Sequence, residues 1–195
     1  MLTIDQKYSF SQEIKKSLFI ADLAPVNTSD EAIAFLEAKK LKHPDANHHC
    51  YSYIIGESGN NYRFSDDGEP SQTAGIVIYN VLNKNNLTNI ICVVTRYFGG
   101  IKLGAGGLVR AYSSSAAGVI NVAELKEIIH YKKIKITFAY PYIDSIIKLL
   151  EPYEEISKNF LENVSFSYLI PESVLDSIKT ELIDITKGKI KIEVC

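Results

Sequence analysis

The chain has 195 residues, 46% of them hydrophobic and 23% charged, and its formal net charge is −2 at pH 7. These values suit one large domain or two small ones, and they exclude both a mainly disordered chain and a global basic field for holding nucleic acid. No apolar run approaches the roughly 20 residues of a membrane span and residues 1–30 lack a secretory segment, so we expect a cytoplasmic protein.

The first 130 residues are predicted to form an α+β domain, because strand-like alternation and helical spacing succeed one another along the sequence. The first half of this domain predicts one or two strands over residues 8–23, a helix that starts at Thr28, and paired strands Cys50–Gly56 and Tyr62–Ser65. The second half predicts a helix over Thr73–Leu82, a buried strand Ile90–Arg96 and a second long helix that starts near Gly107.

Residues 131–195 are predicted to form a second, smaller domain with the element order βαββαβ. The apolar spacing predicts strands around Ile134–Phe138, Glu155–Leu161, Val164–Ile170 and Lys189–Val194, and helices around Ile143–Leu150 and Leu175–Ile185, the second ended by Gly188. This order predicts a ferredoxin-like sandwich, in which two helices cover one face of an antiparallel sheet. No long Pro/Gly/Ser linker joins the two domains, and we place their boundary near His130.

The segment from Arg96 to Arg110 holds five of the chain's eleven glycines, between a predicted strand and a predicted helix. Glycines let backbone N–H groups converge, and a helix N-terminus adds partial positive charge, so this turn suits a phosphate or a carboxylate. No carboxylate occurs from Pro70 to Ala123, which also suits an anion site, although buried segments hold few charges in any case. The candidate anion- or partner-binding residues are Arg96, Tyr97, Gly99, Gly100, Lys102, Gly104, Gly106, Gly107 and Arg110.

Two interpretations of this glycine-rich segment stay open. In the first, Arg96 binds an anion together with backbone N–H groups, and Gly106 gives the close backbone approach or the positive φ that the turn needs. In the second, the glycines serve tight turns and close packing, and Arg96 pairs internally with a carboxylate of Asp66, Asp67 or Glu69. The segment is neither a Walker loop nor a dinucleotide-binding G-x-G-x-x-G motif.

An acidic cluster precedes the glycine-rich segment. Asp66, Asp67 and Glu69 lie within four residues, a density that suits a divalent cation or acid–base chemistry. The alternative is that these carboxylates accept hydrogen bonds from the N–H groups of the following helix, or pair with Arg96. We favour this second, structural or electrostatic role.

A histidine cluster, His48-His49 followed by Cys50, lies at the start of a predicted strand. Alternation along a strand places His49 opposite its two neighbours, so the three side chains cannot bind one ion together, and we predict no metal site. The cysteines Cys50, Cys92 and Cys195 form no C-x-x-C pair and are predicted to be reduced thiols. The residues of a possible polar site are His48, His49, Asp66, Asp67 and Glu69.

The motifs of the first domain resemble those of the YigZ/Impact family over residues 10–125. The resemblance is carried by His43-Pro44-Asp45-Ala46, His48-His49-Cys50, Ser65–Pro70, Thr73-Ala74-Gly75, Val93–Gly104 and Gly106–Tyr112. It implies that the first domain is similar to domain IV of elongation factor G, with the βαβ-containing fold of a small-subunit ribosomal protein. It also implies that the second domain is similar to the ferredoxin-like domain V of the same factor.

This resemblance favours a binding protein linked to the regulation of translation, in contact with RNA, the ribosome or a translation factor through the face formed by the two motif loops. The alternative is an enzyme that acts on a small anionic or phosphorylated substrate at the glycine-rich loop, since the same fold occurs in small-molecule kinases. We favour the binding protein, because Gly106-Gly107 and Ser113–Ala117 match the G-x-G-S-S-A-A run of those kinases only loosely. We assign no catalytic residue and predict no cofactor and no membrane contact.

Overall fold

Strands and helices alternate along the first part of the chain in the order that the apolar spacing predicts. The computed structural model describes residues 1–194, which divide into two units, the first being Met1–Ile128 and the second beginning at Ile129. The thiol of Cys195, predicted above to be reduced, lies outside the described residues. The elements of the first unit are β1 (Leu2–Thr3), β2 (Tyr8–Ile14), β3 (Ser17–Pro25), α1 (Ser29–Lys42), β4 (His48–Ile55), β5 (Asn61–Ser65), α2 (Gly75–Lys84), β6 (Ile90–Tyr97), α3 (Ala105–Asn121) and β7 (Lys126–Glu127).

The main sheet of the first unit has five strands in the order β2-β3-β6-β4-β5, and all its neighbours are antiparallel. The central strand β6 is covered on both faces, which explains its continuous apolar run. Cys92 and Val94 pack into the core shared with α2 and α3, whereas Ile91 and Val93 pack into the core shared with α1. Residues of β6 therefore alternate between two helix-covered faces.

The start of α1 confirms the predicted helix signal. The Thr28 side chain accepts a hydrogen bond from the Glu31 N–H at 3.2 Å, and Glu31 Oε2 accepts one from the Asn27 N–H at 2.7 Å. The first of these bonds satisfies an N–H group that the first turn leaves without a helical partner, and the second ties the chain just before the helix to that turn. A second small sheet, formed by β1 and β7, lies outside the elements that the sequence predicts, because two-residue strands leave no periodic pattern.

In its described residues, the second unit contains four strands and two α-helices, and the order of these elements is the predicted βαββαβ. The elements of the second unit are β8 (Tyr131–Phe138), α4 (Ile143–Leu150), β9 (Glu154–Phe160), β10 (Val164–Pro171), α5 (Leu175–Thr186) and β11 (Ile190–Val194). The strands form one antiparallel sheet in the order β11-β8-β10-β9. Helix α5 ends as predicted, because Lys187 and Gly188 take positive φ values of 53° and 77° and the Gly188 N–H donates to the Ile183 carbonyl.

The described residues confirm the predicted α+β class, with five helices and antiparallel sheets in both units. The second unit has its own hydrophobic core, formed by β8, α4, β10 and α5 around residues such as Ile136 and Phe166. Within residues 1–194, no helix combines the length and the apolar character needed to cross a membrane.

Candidate functional site

A cavity of about 420 Å³ in the first unit brings together all three motifs that the sequence singles out. Antiparallel pairing creates it, because His48 on β4 lies directly across from Arg96 on β6, and β4 also pairs with β5, whose end leads into the acidic cluster. The polar lining residues are Asn47, His48, Glu69, Arg96 and Lys102, and the apolar ones include Pro70, Phe98, Leu103 and Leu108. We call this the motif cavity.

The guanidinium of Arg96 is buried beneath the motif cavity and is held inside the protein. Arg96 is 5% exposed, and its Nη1 donates to Glu69 Oε1 at 2.6 Å. The guanidinium also lies 5.4 Å from the ring centroid of Phe19 and 5.5 Å from that of Phe98, within cation–π distance of both. Of the two interpretations of Arg96, the structure shows the internal pairing, and direct contact of this residue with an anion stays a prediction.

Glu69 is a buried carboxylate with several partners. Besides Arg96, its Oε1 accepts a hydrogen bond from the Tyr112 hydroxyl at 2.8 Å. Burial, together with the neighbouring Cys50 and Glu69, raises the pKa of Tyr112, and burial likewise raises the pKa of the Cys50 thiol. Both groups therefore keep their protons at neutral pH. Tyr112 can donate to the carboxylate, and burial disfavours the thiolate form that Cys50 would need to act as a nucleophile.

The other two carboxylates of the acidic cluster fold the loop on which they lie. Asp66 accepts hydrogen bonds from the N–H groups of Gln72, Ala74 and Gly75 at 2.7–3.0 Å, which satisfies the start of α2. Asp67 Oδ2 accepts from the His49 N–H and ties the loop to β4. Asp66 and Asp67 therefore have the structural role that we favour from the sequence.

His48 is held in one orientation at the edge of the motif cavity. Its Nδ1 lies 2.8 Å from the Asp67 carbonyl oxygen, and because a carbonyl only accepts, Nδ1 must carry the proton. In the neutral ring Nε2 is then the basic nitrogen, and it lies 4.0 Å from Glu69 Oε2. The motif cavity thus contains an oriented imidazole beside a carboxylate.

The two adjacent histidines lie on opposite faces of β4, as strand alternation predicts. His49 is buried with its Nδ1 3.1 Å from Thr95 Oγ1, and burial lowers its pKa, so the ring is neutral at pH 7. It takes no part in the motif cavity. Among residues 1–194, no group of three His, Cys, Asp or Glu side chains is arranged to hold a metal ion.

Two glycines shape the approach to α3. A Cβ on Gly99 would lie 1.9 Å from the Lys16 carbonyl oxygen, so only glycine lets the β2–β3 turn pack against this segment. Gly104 precedes the first helical residue with a φ of 73°, a conformation that residues with a Cβ rarely adopt. No side chain caps the N–H groups of the first turn of α3, which lie beside the motif cavity.

Gly106 does not have the positive φ that the sequence allows for this residue. It lies in the first turn of α3 without a positive φ, and the nearest atom to a Cβ there is Arg110 Nη1 at 3.9 Å. The helix begins at Ala105, slightly before the predicted start, so the positive φ needed for the turn falls on Gly104 instead. The expectation of a positive φ at Gly106 is therefore wrong, and close approach of an anion to its backbone stays a prediction.

The remaining candidate residues divide between the motif cavity and its surroundings. Lys102 lines the cavity and is exposed, and Gly100 lies in the same loop with a φ of 84°. Tyr97 points to the opposite face of the sheet, where its hydroxyl lies 3.0 Å from His43 Nδ1. Gly107 and Arg110 line a neighbouring depression on α3.

Sequence reasoning misses several residues that build the motif cavity. Asn47 Oδ1 accepts from the Phe98 N–H at 2.7 Å, and Ser17 Oγ accepts from the Gly99 N–H at 3.2 Å, so both fix the glycine-rich segment. Phe98 itself is 45% exposed. An aromatic residue inside a glycine-rich loop is a usable signal for such a site, whereas nothing in the sequence distinguishes Ser17.

The fold and the cavity define a two-unit α+β protein whose motif loops converge on one face of its first unit. The Impact N-terminal domain family matches residues 15–120, which contain almost every residue described above, and the chain belongs to this family.

Relatives of similar length support this membership across both units. The IMPACT family member YvyE of Bacillus subtilis is 37% identical over 92% of this chain and 84% of its own length. The IMPACT family member YigZ of Escherichia coli is 34% identical over 93% of this chain and 91% of its own length. A crystal structure described as that of a hypothetical protein has a TM-score of 0.65 and 30% identity, and the match covers 98% of this chain and 95% of that one.

Proposed function

We propose that this chain is an RNA-binding protein linked to the regulation of translation, and that single-stranded RNA binds at the motif cavity. The proposal rests on one observation: the motif cavity contains both a lysine without a partner among the described residues, Lys102, and an exposed aromatic ring, Phe98. In the part of the chain that the structure describes, no group accepts a hydrogen bond or forms an ion pair with the Lys102 ammonium. Phe98 lies beside it in the same cavity, with nearly half of its surface exposed.

These two side chains suit the two chemical parts of a nucleotide. Phosphate binds to a lysine ammonium by a charge-assisted contact, and the uncapped first turn of α3 adds partial positive charge on the same side. A base stacks on an exposed aromatic ring, while Pro70 and Leu103 extend the apolar wall. The Arg96 guanidinium lies 5.5 Å from the centroid of the Phe98 ring, a cation–π contact that favours this position of the ring.

Charge explains why such binding is local. Glu69 neutralises Arg96, so the cavity's net charge comes from Lys102. The net charge of −2 gives no general attraction to polyanions, which favours specific contact at one site over coating of RNA.

The link to translation rests on the resemblance of the two units to domains IV and V of elongation factor G. That likeness is an analogy of fold, so it supports contact with ribosomal RNA or the ribosome without identifying the site. The same setting supports the cytoplasmic location that we expect from the sequence.

A second candidate function is favoured by one specific observation, the oriented His48 beside Glu69. An imidazole with a fixed basic nitrogen 4.0 Å from a carboxylate oxygen is suited to accept a proton from a small phosphorylated substrate held by Lys102. An enzyme of this kind would bind a phosphorylated metabolite in preference to RNA.

Binding of a fluorescently labelled single-stranded RNA of twelve nucleotides, followed by anisotropy, tests the proposal. Replacing Lys102 with alanine removes one charge-assisted contact, worth ~1.5–3 kcal/mol, and should weaken binding roughly ten- to a hundredfold. Lys84→Ala is the matched control, because Lys84 is also an exposed lysine of the carboxylate-free segment but lies at the end of α2.

The expected result is wild-type affinity for Lys84→Ala. If Lys84→Ala and Lys102→Ala weaken RNA binding equally, the affinity depends only on the total charge of the protein, and the proposal is overturned. Failure of the wild-type protein to bind RNA at low salt, together with turnover of a phosphorylated metabolite that His48→Gln abolishes, would establish the enzyme instead.

A further inference from the structure

A second depression of about 320 Å³ adjoins the motif cavity in the first unit. The two share Leu103, whose side chain contributes to the wall of each. The second depression is lined by the β2–β3 turn on one side and by the outer face of α3 on the other, and its charged residues are Lys15 and Arg110. No carboxylate lines it. We call it the basic depression.

The basic side chains of this depression are available to a ligand. Arg110 and Lys15 are both exposed, and among residues 1–194 neither forms a hydrogen bond or an ion pair through its side chain. Lys39, Lys40 and Lys126 of the first unit, by contrast, each pair with a carboxylate. Unpaired cations on two converging elements indicate a site for an anion.

The elements that carry these residues are firmly held. Gln12 Nε2 on β2 donates to the hydroxyls of Ser114 and Ser115 on α3, at 2.7 Å in each case. The β2–β3 turn packs against Gly99 so closely that no Cβ fits between them. Lys15 and Arg110 therefore project from a fixed frame that also holds the glycine-rich segment.

We propose that the basic depression binds a second phosphate of the same RNA strand, so that the site takes an oligonucleotide that crosses Leu103. This inference rests on the proposed function, because it extends the RNA site of the motif cavity. A mononucleotide carries its phosphate into the motif cavity and leaves the basic depression empty. An oligonucleotide presents the next phosphodiester to Lys15 and Arg110, and each such contact adds to the salt dependence of binding.

Comparing a nucleoside 5′-monophosphate with the twelve-nucleotide RNA tests this extension. Arg110→Ala and Lys15→Ala should each weaken RNA binding about tenfold and lower the salt slope by about 0.7, the value for one phosphate of a single strand. Neither variant should change the affinity for the mononucleotide. Lys102→Ala should weaken the binding of both ligands, and Lys84→Ala should weaken neither.

The outcomes separate this inference from the proposed function. If Lys102→Ala weakens RNA binding but the Arg110→Ala and Lys15→Ala variants keep wild-type affinity and salt slope, RNA binds without the basic depression and the inference fails alone. If Arg110→Ala weakens mononucleotide and RNA binding equally, the two cavities are one site and the inference also fails. If the wild-type protein binds no RNA, both fail. Unchanged thermal melts of the variants confirm that folding is not the cause.

Discussion

The buried pair of Arg96 and Glu69 is predicted to stabilise the first unit strongly. Both side chains are nearly inaccessible, 6% and 3% exposed, and their atoms approach to 2.6 Å. Replacing Arg96 with methionine keeps much of the packing between Phe19 and Phe98 but leaves the Glu69 charge buried without its cation. Removing one partner of a buried ion pair costs about 3–5 kcal/mol.

Two features of the site place the expected loss at the lower end of that range. The Tyr112 hydroxyl still donates to Glu69 at 2.8 Å, and the carboxylate lines the motif cavity, through which water can reach it. We therefore expect the free energy of unfolding to fall by about 3 kcal/mol, which lowers the melting temperature by roughly 6–12 °C. A double variant, Arg96→Met with Glu69→Gln, should recover part of this loss because it removes the stranded charge.

Urea unfolding followed by far-ultraviolet circular dichroism measures these changes, and the exposed pair of Lys40 and Glu37 provides the control. Their side chains are 40% and 56% exposed at an N–O distance of 2.9 Å, so Lys40→Met should cost less than about 0.5 kcal/mol. An Arg96→Met loss as small as that of the control would refute the reasoning. A double variant less stable than Arg96→Met would refute it as well.

Three further predictions follow from burial and from the division of the chain. Burial raises the thiol pKa of Cys50 and Cys92, so iodoacetamide at pH 8 should modify neither in the native protein and both after unfolding, as peptide mass spectrometry will show. Burial lowers the pKa of His49, so the unfolded chain binds a proton at this residue more readily than the folded one. The free energy of unfolding should therefore fall as the pH drops below the ordinary histidine pKa of about 6.5. Urea titrations at pH 7 and 5 should show a smaller difference in this free energy for His49→Asn than for the wild type. Residues 1–130 should fold alone with a cooperative melt, since the first unit has its own cores; a fragment that binds ANS and melts without cooperativity would contradict this.

Local sequence signals predict the elements well because each depends on neighbouring residues. The cap at Thr28 and the apolar run of β6 follow from short-range patterns, and the structure shows both. The tiny strands β1 and β7 and the exact start of α3 escape such patterns, because tertiary pairing and the φ of Gly104 decide them. The periodicity of apolar residues contains no information on tertiary pairing or on the φ of a single glycine.

The candidate site is predicted in its parts but not in its connections. The sequence identifies Lys102, Arg96 and Glu69 as candidate site residues. It does not determine which carboxylate of the acidic cluster pairs with the guanidinium of Arg96. The answer depends on the antiparallel register that places His48 opposite Arg96, and on Tyr112 reaching Glu69 from α3. Because Glu69 neutralises the buried arginine, our proposal assigns the binding role to the exposed Lys102, which lines the same cavity.

Ultraviolet cross-linking of the full chain to single-stranded RNA, with the modified peptide identified by mass spectrometry, tests the RNA-binding claim most directly. We predict cross-links at Phe98 or its neighbours up to Lys102, because the exposed ring is the surface on which a base stacks. These cross-links should be lost in Lys102→Ala and kept in Lys84→Ala. An absence of cross-links in the wild-type protein, or cross-links confined to residues outside the motif cavity and the basic depression, would contradict the claim.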